Sequence, residues 1–130
     1  QLKTIQRMVA DLNFPIEITA VPTVRDHDGL AKSSRNAYLQ PAERQAATVL
    51  YRALLVVAKL ALDGEKETKV LLDEIQKVCT QEPLFQLDYA AIVDTEALQP
   101  LTFLEKTSAR ALIAGYIGKT HLNDNCGIEF

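Results

Sequence analysis

The sequence predicts an α+β fold in which helices pack on a three-stranded, mainly antiparallel sheet. Three observations carry that prediction. Two stretches between residues 41 and 81 repeat apolar residues at the 3.6-residue helical period. From Phe85 the period changes to two, as in a half-buried strand. A nearly unbroken apolar run over 109–117 then suits a central strand, because both faces of such a strand are covered. A helix and a short strand come before these elements and read as the tail of an α/β unit.

Residues 2–12 form the first predicted helix, with Leu2, Ile5, Met8, Val9 and Leu12 on one stripe and Lys3 and Arg7 as a like-charged i,i+4 pair. Asn13 supplies a C-terminal stop, with Pro15 behind it. Ile16 to Val21 is short and β-branched, predicting a strand that Pro22 ends. The next helix starts with Pro41 at its first position and Glu43 in its first turn, favourable to the helix dipole. Its stripe runs Ala46, Val49, Leu50, Ala53, Leu54, Val57 and Ala61, and Gly64 ends it. A second amphipathic helix over about 66–81 is expected to bury Leu71, Leu72, Ile75, Val78 and Cys79, with Asp73 and Lys77 as an exposed i,i+4 pair and Pro83 closing it.

In the first strand, Phe85, Leu87, Tyr89, Ala91 and Val93 share the better-buried face. Asp94–Pro100 reads as a turn or short helix. Gly118-Lys119 is a two-residue turn, after which 120–124 returns as a short antiparallel strand. Residues 126–130 carry no readable pattern. The domain boundary falls near residues 22–24, dividing the chain into 1–23 and 24–130.

At 130 residues, 48% hydrophobic and 24% charged, the chain has enough apolar material for one core. A formal charge of −3 argues against nucleic-acid binding driven by a global positive field, and no basic–aromatic stripe is present. Cys79 and Cys126 have neither paired spacing nor a disulfide framework around them, so a reducing, cytoplasmic setting is expected. No stretch reads as long and apolar enough to span a bilayer, no signal peptide is expected, and no membrane partner follows. The opening at Gln1, already inside a helical pattern, leads us to expect a piece of a longer protein.

Against this acidic background one stretch concentrates donors: Val24-Arg25-Asp26-His27-Asp28-Gly29-Leu30-Ala31-Lys32-Ser33-Ser34-Arg35-Asn36. A turn at Asp28-Gly29 delivers Lys-Ser-Ser-Arg, which offers a polyphosphate a point charge, two hydroxyls and a bidentate guanidinium. The bland alternative is a polar loop whose serines cap the next segment. His27 and His121 have no nucleophile or metal-ligand spacing and read as surface or edge residues. Asp26 and Asp28 are better turn formers than metal ligands, so no metal site is assigned. Tyr38 and Tyr51 read as packing residues, and Cys79 as core.

From Val21 through Leu39 the sequence follows the pattern V-P-T-V-R-x-x-D-G-L-A-x-S-S-R-N-x-Y-L, which resembles the signature of the pantoate–β-alanine ligase family. The residues from Gln1 to Leu12 resemble the helix after that family's Lys-Asp-x-Gln-Gln motif; Thr107–Ala111 and Leu122–Asn125 resemble its closing strands. The resemblance thus covers essentially the whole chain. It implies a homodimeric, Rossmann-like nucleotidylyltransferase relative that uses ATP with Mg²⁺ to make pantoyl adenylate from pantoate, then β-alanine to give pantothenate and AMP.

It further implies that Ser33, Ser34 and Arg35 contact the ATP phosphates with Lys32 in the same segment, that Val24 meets adenine through its backbone, and that Gln1 takes the place of a pantoate-binding glutamine. The family usually has Met or Leu where this chain has Lys32. Its His-x-Gly-His motif and the Lys-Asp before Gln1 are not among these residues, so no catalytic residue is assigned and the piece is expected to be inactive without an N-terminal domain. A nucleotide-binding or regulatory module without chemistry is the competing reading.

Overall fold

The computed structural model of the chain describes residues 1–105 and 108–130. Four α-helices come first: α1 (Leu2–Asp11), α2 (Pro41–Ala46), α3 (Val49–Leu62) and α4 (Thr68–Thr80). Three strands follow: β1 (Phe85–Asp94), β2 (Ala109–Ile117) and β3 (Thr120–Ile128). They form one antiparallel sheet in the order β1-β2-β3. A five-residue 3₁₀ helix, Ser34–Tyr38, lies between α1 and α2. The α+β reading therefore holds.

The core forms where α3 and α4 lie against the sheet. Val49, Leu50, Ala53, Leu54, Val57 and Ala61 of α3 are buried, as are Leu71, Ile75 and Cys79 of α4. They meet Ala111, Ile113 and Ile117 of β2 and Leu122 and Ile128 of β3 in one cluster. Gly64, at φ +107, closes α3 where a residue with a Cβ would be strained, and the Glu65 amide reaches back to the Leu60 carbonyl. Burial raises the Cys79 thiol to about 11, as expected of a core cysteine.

Several expectations are corrected by the packing. The single helix from Pro41 is two, because at Ala47–Thr48 the backbone stays helical but its hydrogen bonds change from i→i−4 to i→i−3. The Thr48 hydroxyl donates to the Gln45 carbonyl at 2.8 Å and takes up an acceptor there. The 22-residue stretch Pro41–Leu62 is also apolar enough to cross a membrane by length and composition, contrary to the expectation that none is. Its stripe is instead spent on the core described above. On α4, Asp73 pairs with Lys69 at 2.9 Å and Lys77 with Glu74, in place of the expected Asp73–Lys77 pair.

In β1 the pairing register shifts between Leu87 and Tyr89. This bulge turns the strand over: Phe85 is buried before it, but Ile92 after it, while Tyr89 is 48% exposed. The expected odd-numbered face thus holds only as far as Leu87, although Val93 is buried. β3 runs four residues further than its pattern suggested, to Ile128, so Cys126 belongs to the sheet. Its thiol lies 3.8 Å from the Leu54 carbonyl. Asp94 organises the turn after β1 by accepting from the amides of Glu96, Ala97 and Gln99. These bonds hold its carboxyl below the usual carboxylate range.

The N-terminal region differs. α1 ends with Asn13 at φ 51 and the Phe14 amide bonded to the Val9 carbonyl, as its stop signal predicts. It buries no residue. The expected strand over 16–21 does not form. No strand among the described residues runs beside it, and an unpaired strand has no ladder to stabilise it. Ile16 is 58% and Val21 77% exposed.

Candidate functional site

The donor-rich stretch folds as a small β-hairpin followed by a tight turn. The Lys32 amide donates to the Val24 carbonyl at 2.8 Å, the Asp26 amide to the Leu30 carbonyl at 2.9 Å, and the Gly29 amide to the Asp26 carbonyl at 2.9 Å. Gly29 is required twice over. Its φ is +91, and a Cβ there would lie 1.9 Å from the Tyr51 ring of α3. Tyr51 is therefore the packing residue expected, whereas Tyr38 is 73% exposed and packs on nothing that buries it.

Most of the charge in the hairpin is neutralised within the chain. Arg25 forks onto Asp124 of β3, with contacts of 2.5 and 3.0 Å, and its guanidinium sits 4.4 Å from the centre of the Tyr51 ring. Arg44 of α2 grips Asp28 at 2.8 and 3.0 Å and Asp26 at 3.0 Å. Its bonds to Asp28 lower that carboxyl to about 2. Lys32 reaches back to Asp26 at 2.5 Å, and this is the main reason the Asp26 carboxyl is lowered. Asp26 and Asp28 thus act as ion-pair partners as well as turn formers.

The next three residues are different. Ser33 caps the 3₁₀ helix by accepting from the Arg35 amide at 3.2 Å, so the bland reading of the serines is true of this one. Ser34 is exposed. Among the described residues, neither its hydroxyl nor the Arg35 guanidinium has a hydrogen-bond or ion-pair partner. Asn36 ties the turn to the hairpin by donating to the Ala31 carbonyl at 3.0 Å. Its side-chain oxygen is buried without a partner, a position that usually receives a water or a ligand donor.

Ser33, Arg35 and Asn36, but not Ser34, border a cavity of about 230 Å³ between the turn and β3. Lys32, Ser33, Arg35 and Asn36 form one wall, and Asn123 and Asn125 lie on the other. The β3 wall went unread as a site in the sequence; the motif Asn-Asp-Asn was visible, but its distance from the loop along the chain concealed the contact. Val24 is 59% exposed and spends its carbonyl on Lys32. Gln1 stands exposed ahead of α1, and no hydrogen bond or ion pair among the described residues connects it to the loop. His121 pairs with Asp88 at 3.1 Å and tilts over the Tyr116 ring, and His27 is exposed.

A family model described as pantoate-beta-alanine ligase matches residues 1–127. The chain belongs to the pantoate–β-alanine ligase family. It is 52% identical over 128 residues to the pantothenate synthetase of Rubrobacter xylanophilus, covering 98% of this chain and 44% of that protein. It is 47% identical to the corresponding protein of Clostridium botulinum, covering 96% and 44%. The crystal structure of pantothenate synthetase from Thermus thermophilus superposes with a TM-score of 0.90 at 44% identity, covering 96% of this chain and 45% of that one.

A more distant ligase, from Francisella tularensis, was solved in complex with β-γ ATP and β-alanine; its TM-score is 0.58 at 26% identity, over 97% and 39% of the two chains. This chain therefore spans less than half the length of the family members it matches. Of the stretches that carried the family resemblance, residues 108–111 and 122–125 lie in β2, its approach and β3, while Thr107 falls outside the described residues.

Proposed function

We propose that this chain supplies the polyphosphate-binding half of an ATP-dependent ligase that joins pantoate to β-alanine through pantoyl adenylate, releasing pyrophosphate and then AMP. One observation carries the reading. In a loop where every other described cation is tied to a carboxylate, the Arg35 guanidinium is left open on the wall of a polar cavity, and the hydroxyl of the neighbouring Ser34, exposed outside that wall, is open as well. Arg35 and Ser34 would meet the phosphate oxygens, Ser33 would present the turn's backbone, and Lys32 would join by leaving Asp26. Val24 would meet adenine through its backbone, and Gln1 would meet pantoate at the far side of the site.

Such donors act most strongly on charge that develops in the transition state, in a site closed to water. Closure also protects an acyl adenylate from hydrolysis. We further place residues 1–23 with a preceding nucleotidylyltransferase-like domain and 24–130 in the closing domain. The unburied α1 and the hairpin pinned to β3 both support that division. Mg²⁺ would accompany ATP, and among the described residues no cluster of three or more His, Cys, Asp or Glu side chains is placed to hold it. The hairpin carboxylates Asp26 and Asp28 and the β3 carboxylate Asp124 are all engaged by Arg or Lys. No step here is routed through the metal. A homodimer and a cytoplasmic setting complete the proposal, the second supported by two free cysteines.

The test is a product assay. The full-length protein containing this chain should form pantothenate and AMP from ATP, pantoate and β-alanine, and the 130-residue chain alone should form neither. Failure of the full-length protein would remove the proposed activity; turnover by the chain alone would overturn the division of the site.

A further inference from the structure

We infer that Arg25 is a positioning residue that sets the distance between the two walls of the phosphate cavity, acting through Asp124 and not through any contact of its own with the ligand. The inference rests on the ligase reading above for its kinetic test only. Arg25 and Asp124 are 99 positions apart in the chain. Arg25 lies on the hairpin strand paired with Ala31, and Ala31 immediately precedes the Lys32–Arg35 wall. Asp124 lies between Asn123 and Asn125, the opposite wall. The guanidinium makes four hydrogen bonds: two to the Asp124 carboxylate, one to the Gly29 carbonyl at 3.0 Å and one to the Asn125 carbonyl at 3.3 Å. It therefore fixes the turn of its own hairpin and the backbone of β3 at the same time.

Asp124 is held from its own side as well. Its side chain is only 2% exposed, and it accepts from the Asn125 amide at 2.7 Å. The Asn125 side chain in turn accepts from Arg110 of β2 at 2.5 Å. The strut thus ends on the central strand of the sheet, which is paired along both edges. Only a planar fork meets this arrangement. A lysine at position 25 would keep the positive charge but would offer a single nitrogen in place of two parallel N–H donors. The Tyr51 ring packs under the same guanidinium, 4.4 Å from its centre, and a lysine ammonium would not cover it in the same way.

The deciding variants are Arg25→Lys and the near-isosteric Asp124→Asn, made in the full-length protein. We expect each to raise the KM for ATP and lower kcat, together by about tenfold or more in kcat/KM. The KM for pantoate should stay within about twofold of the parent, because the strut touches only the phosphate walls, and the loss should persist at temperatures where the variant is fully folded. A purely structural role would reduce the active fraction, lowering kcat alone in proportion to unfolded protein, and that result overturns the inference. A second arm needs no ligase activity: in the ligand-free full-length protein, the amide resonances of Ser33 and Asn123, one on each wall, should broaden or split in Arg25→Lys while those of the α3–α4 core stay single. Unchanged Ser33 and Asn123 resonances would overturn the positioning role even if the ligase activity is real; broadened ones in a protein without ligase activity would leave the strut standing and the proposed function refuted.

Discussion

The hairpin 24–32 and the turn 33–36 are consecutive and both carry cations, yet they have opposite electrostatic conditions. In the hairpin, Arg25 and Lys32 are matched by Asp124 and Asp26, and Arg44 holds the remaining carboxylate. In the turn, Arg35 is exposed and among the described residues unmatched. The difference separates two uses that a charge can have. A cation whose partner is built into the fold contributes to position, because its field is already compensated. One without a partner is available to an anion that arrives later. On the proposed reading the hairpin is scaffold and the turn meets the ligand, although a count of donors along the sequence weights them alike.

The largest effect expected from breaking that contrast is on chemistry. In the full-length protein, Arg35→Ala or Ser34→Ala should lower kcat by about 10²–10³, as loss of a single preorganised donor does, and should raise the KM for pantoate far less. Thermal unfolding should barely move, since these side chains hold nothing in place. Equal turnover at saturating ATP would take both residues out of the mechanism. The mirror-image change is Gly29→Ala in the hairpin. It forces a Cβ into the Tyr51 ring at a positive φ, so we expect a loss of about 2–4 kcal/mol in stability from overpacking and backbone strain together. Denaturant titration checks this, and a loss below about 1 kcal/mol, less than overpacking alone costs, would show that Tyr51 moves aside.

A smaller effect separates the two regions by pH. The folded Asp28 carboxyl, held by Arg44, is lowered to about 2. Its contribution to stability is therefore complete above the ordinary carboxylate value of 3.8 and is lost as pH falls from there through about 2. Arg44→Gln should flatten the acid limb of the stability curve over that window, whereas Arg35→Gln should leave it unchanged. The smallest effect is Asp26→Asn. It frees Lys32 from its exposed pair, and such pairs are weak, so affinity for inorganic tripolyphosphate should rise about two- to fivefold. The gain should shrink as salt is added. No gain at low salt would mean that Lys32 does not turn toward the phosphates.

How far the fold could be read varied with how local its causes are. The helices α1, α3 and α4 follow from apolar periodicity, the strand β2 from its nearly unbroken apolar run, and the stops at Asn13 and Gly64 from the left-handed backbone those residues accept. The break at Thr48 and the bulge after Leu87 could not be read in that way. Each depends on which hydrogen bonds the surrounding packing leaves available, while the residue pattern runs on without interruption. The segment 16–21 shows the converse: β-branched residues mark a strand, but a strand exists only beside a partner. In the site, Ser33–Arg35 was legible from residue type. Asp124, Asn123 and Asn125 were not, because their role comes from a contact made across most of the chain.

By itself, then, the sequence determined the family, the α+β class and the chemistry the turn can offer, because motif, period and side-chain type are all written within a few neighbouring residues. Only the tertiary structure decided which of three similar cations remains open. That choice depends on where the carboxylates of β3 and the hairpin come to rest. Arg25 finds Asp124 and Lys32 finds Asp26, while Arg35 borders a cavity where nothing in the described chain answers its charge.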